Sequence, residues 1–140
     1  MESLQIEQTS LTPEVNFDPK EGVFEISGYS RPEDVREFYT PIIKWLESYE
    51  KSISGAKLQE EYNTKNLIFR FRFNYFNSAS TKFICDMLFQ ILKLKRIGPG
   101  VDIDWYYEEY DDDMRETGED LSDMINYPFN FYSFKKENEN

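Results

Sequence analysis

"LIFRFRFNYFNSASTKFICDMLFQILKLKR", residues 67–96, decides the fold. Leu67, Phe69, Phe71, Phe73 and Tyr75 fall on one side of an extended chain, and Ile68, Arg70, Arg72 and Asn74 fall on the other. A period of two with one aromatic side is a strand with a buried face. The period then changes. At about 100° per residue, Phe83, Ile84, Met87, Leu88, Ile91, Leu92 and Leu94 share one broad arc, while Lys82, Asp86 and Lys93 point away from it. Lys93, Lys95 and Arg96 complement the carboxyl end of a helix, and Gly98 with Pro99 stops it. Between strand and helix stand four small polar residues, Asn77, Ser78, Ser80 and Thr81.

Working outward, Val101 to Tyr107 reads as another strand, and strand–helix–strand with short connections implies a right-handed parallel crossover. Upstream, "PEVNFDPKEGVFEISG" (13–28) reads as a hairpin: Val15 and Phe17 alternate with polar residues, "DPKEG" supplies the turn, and Val23, Phe24 and Ile26 resume a strand. Ser30 with Glu33 forms a capping box ahead of a helix from about Pro32 to Tyr49. Pro41 predicts a kink or restart there, with Thr40 as a second cap. "SGAKLQEEYNTKN" (54–66) is polar and reads as a loop with partial extension. Downstream, "RETGEDLSDMI" (115–125) suits a short acidic helix, and "PFNFYSF" (128–134) an edge strand, since Pro128 stands at its start. The expected architecture is α/β: a single domain over 1–140, ordered from about 8 to 134, with a mixed sheet, an N-terminal hairpin and two main helices packed on it.

Composition narrows the chemistry. With 140 residues, 10 Tyr and 12 Phe the chain builds one packed core. No apolar run approaches the roughly 20 residues of a membrane helix, and "MESLQIEQTSL" lacks the pattern of a signal peptide. Cys85 is the one cysteine, so a disulfide framework is excluded and a reducing cytoplasm is expected. There is no histidine, which removes Ser-His-Asp and Cys-His catalysis, phosphohistidine relays and Cys/His zinc sites. The net charge of −11 is concentrated: from Asp102 to Asp123 there are eleven acids and one base, Arg115. Nucleic acid and anionic membranes are disfavoured as partners, and a basic protein surface is favoured.

Three constellations remain. At 77–81 the plain reading is a helix cap, with Asn77 or Ser78 accepting an amide of the first turn. The same turn tolerates a phosphoryl group, because its amides lack partners and the helix dipole favours an anion. In "WYYEEYDDDMRETGED" (105–120) a calcium loop fails in both registers, since a start at Asp111 puts Glu116 where Gly is needed and a start at Asp113 puts Arg115 at a ligand position. A carboxylate enzyme or acidic metal site over 108–120 is the alternative to a solvated acidic surface. Trp105, Tyr106 and Tyr107 beside Asp111, Asp112 and Asp113 resemble a docking surface with aromatic anchors and a polar rim. Finally, Phe38, Ile42, Trp45, Leu46 and Tyr49 recur at core spacing, and Arg70 and Arg72 are expected to pair with local acids.

"TPEVNFD" (12–18), "RPEDVREFYTPIIKWL" (31–46), "NYFNSAS" (74–80), "WYYEEYDDDMRETGE" (105–119) and "PF" (128–129), in that order, resemble the SiaC family of bacterial regulatory phosphoproteins over nearly the whole chain. The resemblance implies a non-enzymatic switch, loosely similar in fold and similar in logic to STAS-type anti-sigma-factor antagonists, with no cofactor and a place in biofilm or aggregation signalling. A Ser/Thr kinase would modify one hydroxyl at the strand-to-helix junction and a PPM-type phosphatase would clear it. The unmodified form would bind and activate a diguanylate cyclase. Carried over by position, the acceptor is Ser78. Where the family carries Thr-Ser-Ser this chain has Ser78-Ala79-Ser80, so Ser80 and, more weakly, Thr81 are its rivals. Asn77 and Ser80 would support the local geometry, and the 105–119 segment would lie near the partner.

Overall fold

The structure is a computed structural model that describes residues 1–56 and 66–136. Six strands form one sheet in sequence order: β1 (Leu4–Ile6), β2 (Glu14–Asp18), β3 (Val23–Ser30), β4 (Asn66–Phe76), β5 (Gly100–Glu108) and β6 (Asn130–Phe134). β1, β2 and β3 pair antiparallel, and β3, β4, β5 and β6 pair parallel. The parallel steps contain α1 (Val35–Ala56), α2 (Ser78–Arg96) and α3 (Asp112–Ile125). The α/β mixed sheet with its N-terminal hairpin is as expected. The acidic helix is a third full element, and β1 lies upstream of position 8, where order was expected to begin. The stretch 57–65, read as part of a polar loop, lies outside the described residues.

All three helices cover one face of the sheet. Phe17, Phe24, Ile26, Phe69, Phe71, Phe73, Ile103 and Trp105 face them, and Ile42, Leu46, Ile84, Met87, Ile91, Leu121 and Ile125 pack back in the same core. The opposite face carries Glu25, Arg70, Arg72, Asn74, Asp104, Tyr106 and Glu108 and is open to solvent or half-open, apart from buried Asp104.

Four local expectations are corrected. The helix does not stop near Tyr49 or restart at Pro41, because α1 runs through both to Ala56. An interior proline costs about 3 kcal/mol. Tyr39, Ile42, Leu46, Tyr49 and Ile53 are all at most 2% exposed, and burying five such side chains contributes on the order of 10 kcal/mol, so packing wins. Second, Ser30 does not cap α1. It is the last residue of β3 and is wholly buried, while Asp34 takes the cap by accepting the Glu37 amide at 3.0 Å. Third, Tyr75 is not on the core face. The β3–β4 register slips between Gly28 and Tyr29, so that Phe73 faces Gly28 and Tyr75 faces Tyr29. The bulge sends Phe76 inward and Tyr75 outward onto Tyr29, ring centroids 4.9 Å apart. Gly28 meets this turn at φ +112°, a value that favours glycine. Fourth, neither Arg70 nor Arg72 forms an ion pair among the described residues. Arg72 lies over the Phe134 ring at 4.3 Å, and the Arg70 Nε is buried without a hydrogen bond.

The strand-to-helix junction as candidate functional site

β4 delivers Phe76 to the core and then turns, and α2 begins at Ser78. The turn is set by Asn77, which holds extended backbone angles and accepts the Ser80 amide on its side-chain oxygen at 2.9 Å. Asn77, rather than Ser78, is therefore the cap. Its own amide donates to the Ser30 carbonyl at 3.0 Å, tying the junction to the end of β3.

The three candidate hydroxyls have different fates. Ser78 is exposed at the first helical position, and its hydroxyl makes no hydrogen bond among the described residues. Ser80 is 0% exposed. Its hydroxyl donates to Asn77 Oδ1 at 2.7 Å and lies 3.0 Å from Ser30 Oγ, which lies 2.6 Å from the Tyr39 hydroxyl. Thr81 is half-buried and donates to the Asn77 carbonyl at 3.3 Å. Burial, partly offset by the Ser30 and Ser80 hydroxyls, pushes the Tyr39 phenol up to about 12. Ser30 and Tyr39 were missed as site residues in the sequence. Tyr39 carried a signal, since it continues the apolar stripe of Ile42, Leu46 and Tyr49. Ser30 carried none beyond the misleading capping box.

The aromatic and acidic stretch divides in the same way. Trp105 was expected at a partner surface, but it is wholly enclosed. Its ring stacks on Phe71 and Phe129, both at 5.9 Å, and its indole N–H donates to the Met114 carbonyl at 3.0 Å. Gly118 of α3 lies against it, and an added Cβ would stand 2.5 Å from the indole. Trp105 therefore docks α3 on the sheet. Tyr106 lies on the open face, half-buried and stacked on Tyr132 at 5.1 Å, and Tyr107 is half-buried near the same strand end. Asp111 caps α3 by accepting the Met114 amide at 3.1 Å. Asp112 and Asp113 are exposed in the first turn, and Arg115 meets Asp112 at 3.7 Å and Glu119 at 2.8 Å. Among the described residues no three His, Cys, Asp or Glu side chains converge to hold a metal ion. No helix there is long and apolar enough to cross a membrane.

A family model described as SiaC family regulatory phosphoprotein matches residues 6–134. An uncharacterised protein of Pseudomonas aeruginosa (strain UCBPP-PA14) is 25% identical over 129 residues, which is 92% of this chain and 94% of that one. The structure of SiaC of Pseudomonas aeruginosa superposes with a TM-score of 0.73 at 23% identity, covering 96% of this chain and 100% of that one. A chain from the crystal structure of the diguanylate cyclase SiaD in complex with its activator SiaC, from the same organism, gives a TM-score of 0.77 at 24% identity, covering 94% of this chain and 99% of that one. These solved structures share the single-domain α/β fold.

Proposed function

This chain belongs to the SiaC family of regulatory phosphoproteins, and from that membership we propose that it is a binding switch set by reversible phosphorylation of Ser78. In this reading a Ser/Thr kinase adds the phosphate and a PPM-type phosphatase removes it. The unmodified form binds and activates a diguanylate cyclase, as the similar Pseudomonas SiaC is the activator of SiaD. The partner contacts the turn at Asn77 and Ser78 and the neighbouring surface of Tyr106, Tyr107, Asp112 and Asp113. The protein itself binds rather than catalyses.

One observation carries the reading: of three hydroxyls in four residues, Ser78 alone is both exposed and, among the described residues, unbonded. Its place suits a phosphate, because the first amides of a helix have no intrahelical acceptor and the dipole favours an anion. A dianion of about −1.5 to −2 on a neutral, small-residue turn changes both its charge and its hydration. A partner packed on unmodified Ser78 would then have to bury that charge, at a cost of several kcal/mol wherever no cation of the partner faces the site.

The test is phosphorylation of the purified chain by its kinase with ATP, mapped by fragmentation mass spectrometry. A single phosphate on Ser78, absent from Ser78→Ala, is expected. A labelled Ser78→Ala protein refutes the assignment. The phosphorylated chain should bind the cyclase at least about tenfold more weakly than the unmodified one, which corresponds to about 1.4 kcal/mol. Equal binding by the two forms removes the switch.

A further inference from the structure

Three hydroxyls stand within four residues of each other, and the reading above modifies only one. We propose that the buried relay Tyr39–Ser30–Ser80–Asn77 is the specificity determinant of that modification: it locks the first turn of α2 so that Ser78 is presented while Ser80 and Thr81 are withheld. This rests on the reading of Ser78 as acceptor and concerns what restricts the kinase to it.

The protons of the relay run in one direction. The Asn77 atom that accepts the Ser80 amide at 2.9 Å must be its oxygen. Ser80 therefore donates its one hydroxyl proton to that oxygen, 2.7 Å away. Across the 3.0 Å contact Ser80 then accepts, so Ser30 donates. With its proton committed, Ser30 accepts from Tyr39 at 2.6 Å. The four residues belong to α1, the end of β3 and the start of α2, so the relay bolts three elements together inside the core. Ser30 holds the junction twice, by its side chain and by its carbonyl, which receives the Asn77 amide at 3.0 Å.

Phosphoryl transfer needs what the relay removes. A serine Oγ–phosphorus bond forms while the bond from the γ-phosphorus to the ADP leaving group breaks, and the hydroxyl proton passes to a base on the kinase. Ser80 Oγ is enclosed, its proton is held by Asn77 and a lone pair is taken by Ser30. Thr81 is half-buried with its proton on the Asn77 carbonyl. Either residue reacts only after the turn opens. Ser78 is exposed and its proton is uncommitted among the described residues, so it reacts from the closed turn. Ser30 and Tyr39 are positioning residues, because neither touches the nucleotide.

The experiment uses the full chain, ATP and extract of the source organism as kinase source, with occupancy at residues 78, 80 and 81 read by fragmentation mass spectrometry. Wild type is expected to carry its phosphate on Ser78, with less than about a tenth elsewhere in the turn. Ser30→Ala breaks two links, and the share on Ser80 and Thr81 should rise about tenfold, since losing a buried hydroxyl bond shifts a local opening equilibrium by on the order of a decade. Tyr39→Phe breaks one link, keeps the ring and should shift the share less in the same direction. Should Ser30→Ala fail to fold, it carries the test. Amide exchange across 78–81 should speed up in parallel. Leu94→Ala, wholly buried at the far end of α2, should destabilise the fold and leave Ser78 as the one site. If wild type is unmodified in this turn, or is modified on Ser80, the reading of Ser78 falls and the relay with it. If wild type and both relay variants carry phosphate on Ser78 alone, the relay is overturned and the switch stands. If Leu94→Ala spreads the label as widely as Ser30→Ala, general loosening replaces the relay.

Discussion

The two strand-to-helix junctions at β4–α2 and β5–α3 are built alike and charged differently. Each follows a parallel strand, and each is capped by a side-chain oxygen that accepts the amide three residues on, Asn77 to Ser80 at 2.9 Å and Asp111 to Met114 at 3.1 Å. The first turn of α3 already holds Asp112 and Asp113, whereas the first turn of α2 holds no acid. A helix start that carries carboxylates has its dipole answered, and a further anion there meets like charge. A helix start left neutral keeps room for an anion that arrives later. The acidic segment attracts the eye in the sequence, yet the neutral turn is the one whose electrostatics a modification can change.

The sharpest way to break the comparison is at the anchor of α3. Trp105→Ala removes an enclosed ring that stacks on Phe71 and Phe129 and bonds the Met114 carbonyl. A loss of about 3–5 kcal/mol in urea unfolding is expected. A loss below about 1 kcal/mol would mean that Trp105 is not what docks α3.

The α2 junction has its own signature in alkali. Burial holds the Tyr39 phenol near 12 against an ordinary 10. The unfolded chain therefore releases this proton first as pH rises. The stabilisation is fully present below pH 10 and is lost between about 10 and 12, amounting to about 2–3 kcal/mol. Tyr39→Phe should flatten that part of the stability–pH curve relative to wild type. An unchanged slope would show that the phenol is not sealed in the relay.

Much of this was legible beforehand for a physical reason. Period and turn chemistry are local, so the hairpin, β4, α2 and β5 could be read from neighbouring residues. Four features depended on distant ones. Pro41 was read as a break because the core contacts that carry α1 through it come from the sheet. Tyr75 was placed inward because the bulge that rotates it lies in the pairing with β3. Ser30 was read as a cap because its true partners, Tyr39 and Ser80, lie nine and fifty positions away. Trp105 was read as an anchor for a partner because tryptophan beside acids suits an interface as well as it suits a helix dock. Ser78 was reached partly by resemblance, and what the fold adds is the contrast between its free hydroxyl and the committed ones beside it.

Removing each cap measures the next difference. Asn77→Ala takes away a helix cap and also the nearest acceptor of the buried Ser80 hydroxyl proton, at 2.7 Å, so a loss of about 2 kcal/mol is expected. Asp111→Ala takes away a cap alone and should cost about 1 kcal/mol. If the two losses measured by denaturation are equal, the Asn77–Ser80 bond adds nothing beyond capping, and the two junctions are closer in construction than their hydrogen bonds suggest.

The smallest effect discriminates most directly between the two helix starts. A carboxylate placed in the first turn of a helix stabilises by about 0.3–1 kcal/mol at low ionic strength and is screened by salt. Ser78→Asp puts one where none exists, so stability should rise by that amount and the gain should fade as salt approaches 1 M. Asp113→Asn removes one from a turn that has two, and the loss should be of similar size with the same salt dependence. The signs are opposite because one junction lacks the charge and the other holds it. Purified phosphoprotein should exceed Ser78→Asp, since its charge is nearly doubled and it brings three acceptor oxygens. If Ser78→Asp lowers stability at low salt, the neutral turn is not the receptive helix start that its amides and empty first turn indicate. In the proposed switch, release of the partner would then rest on contact sterics instead of on charge at the start of α2.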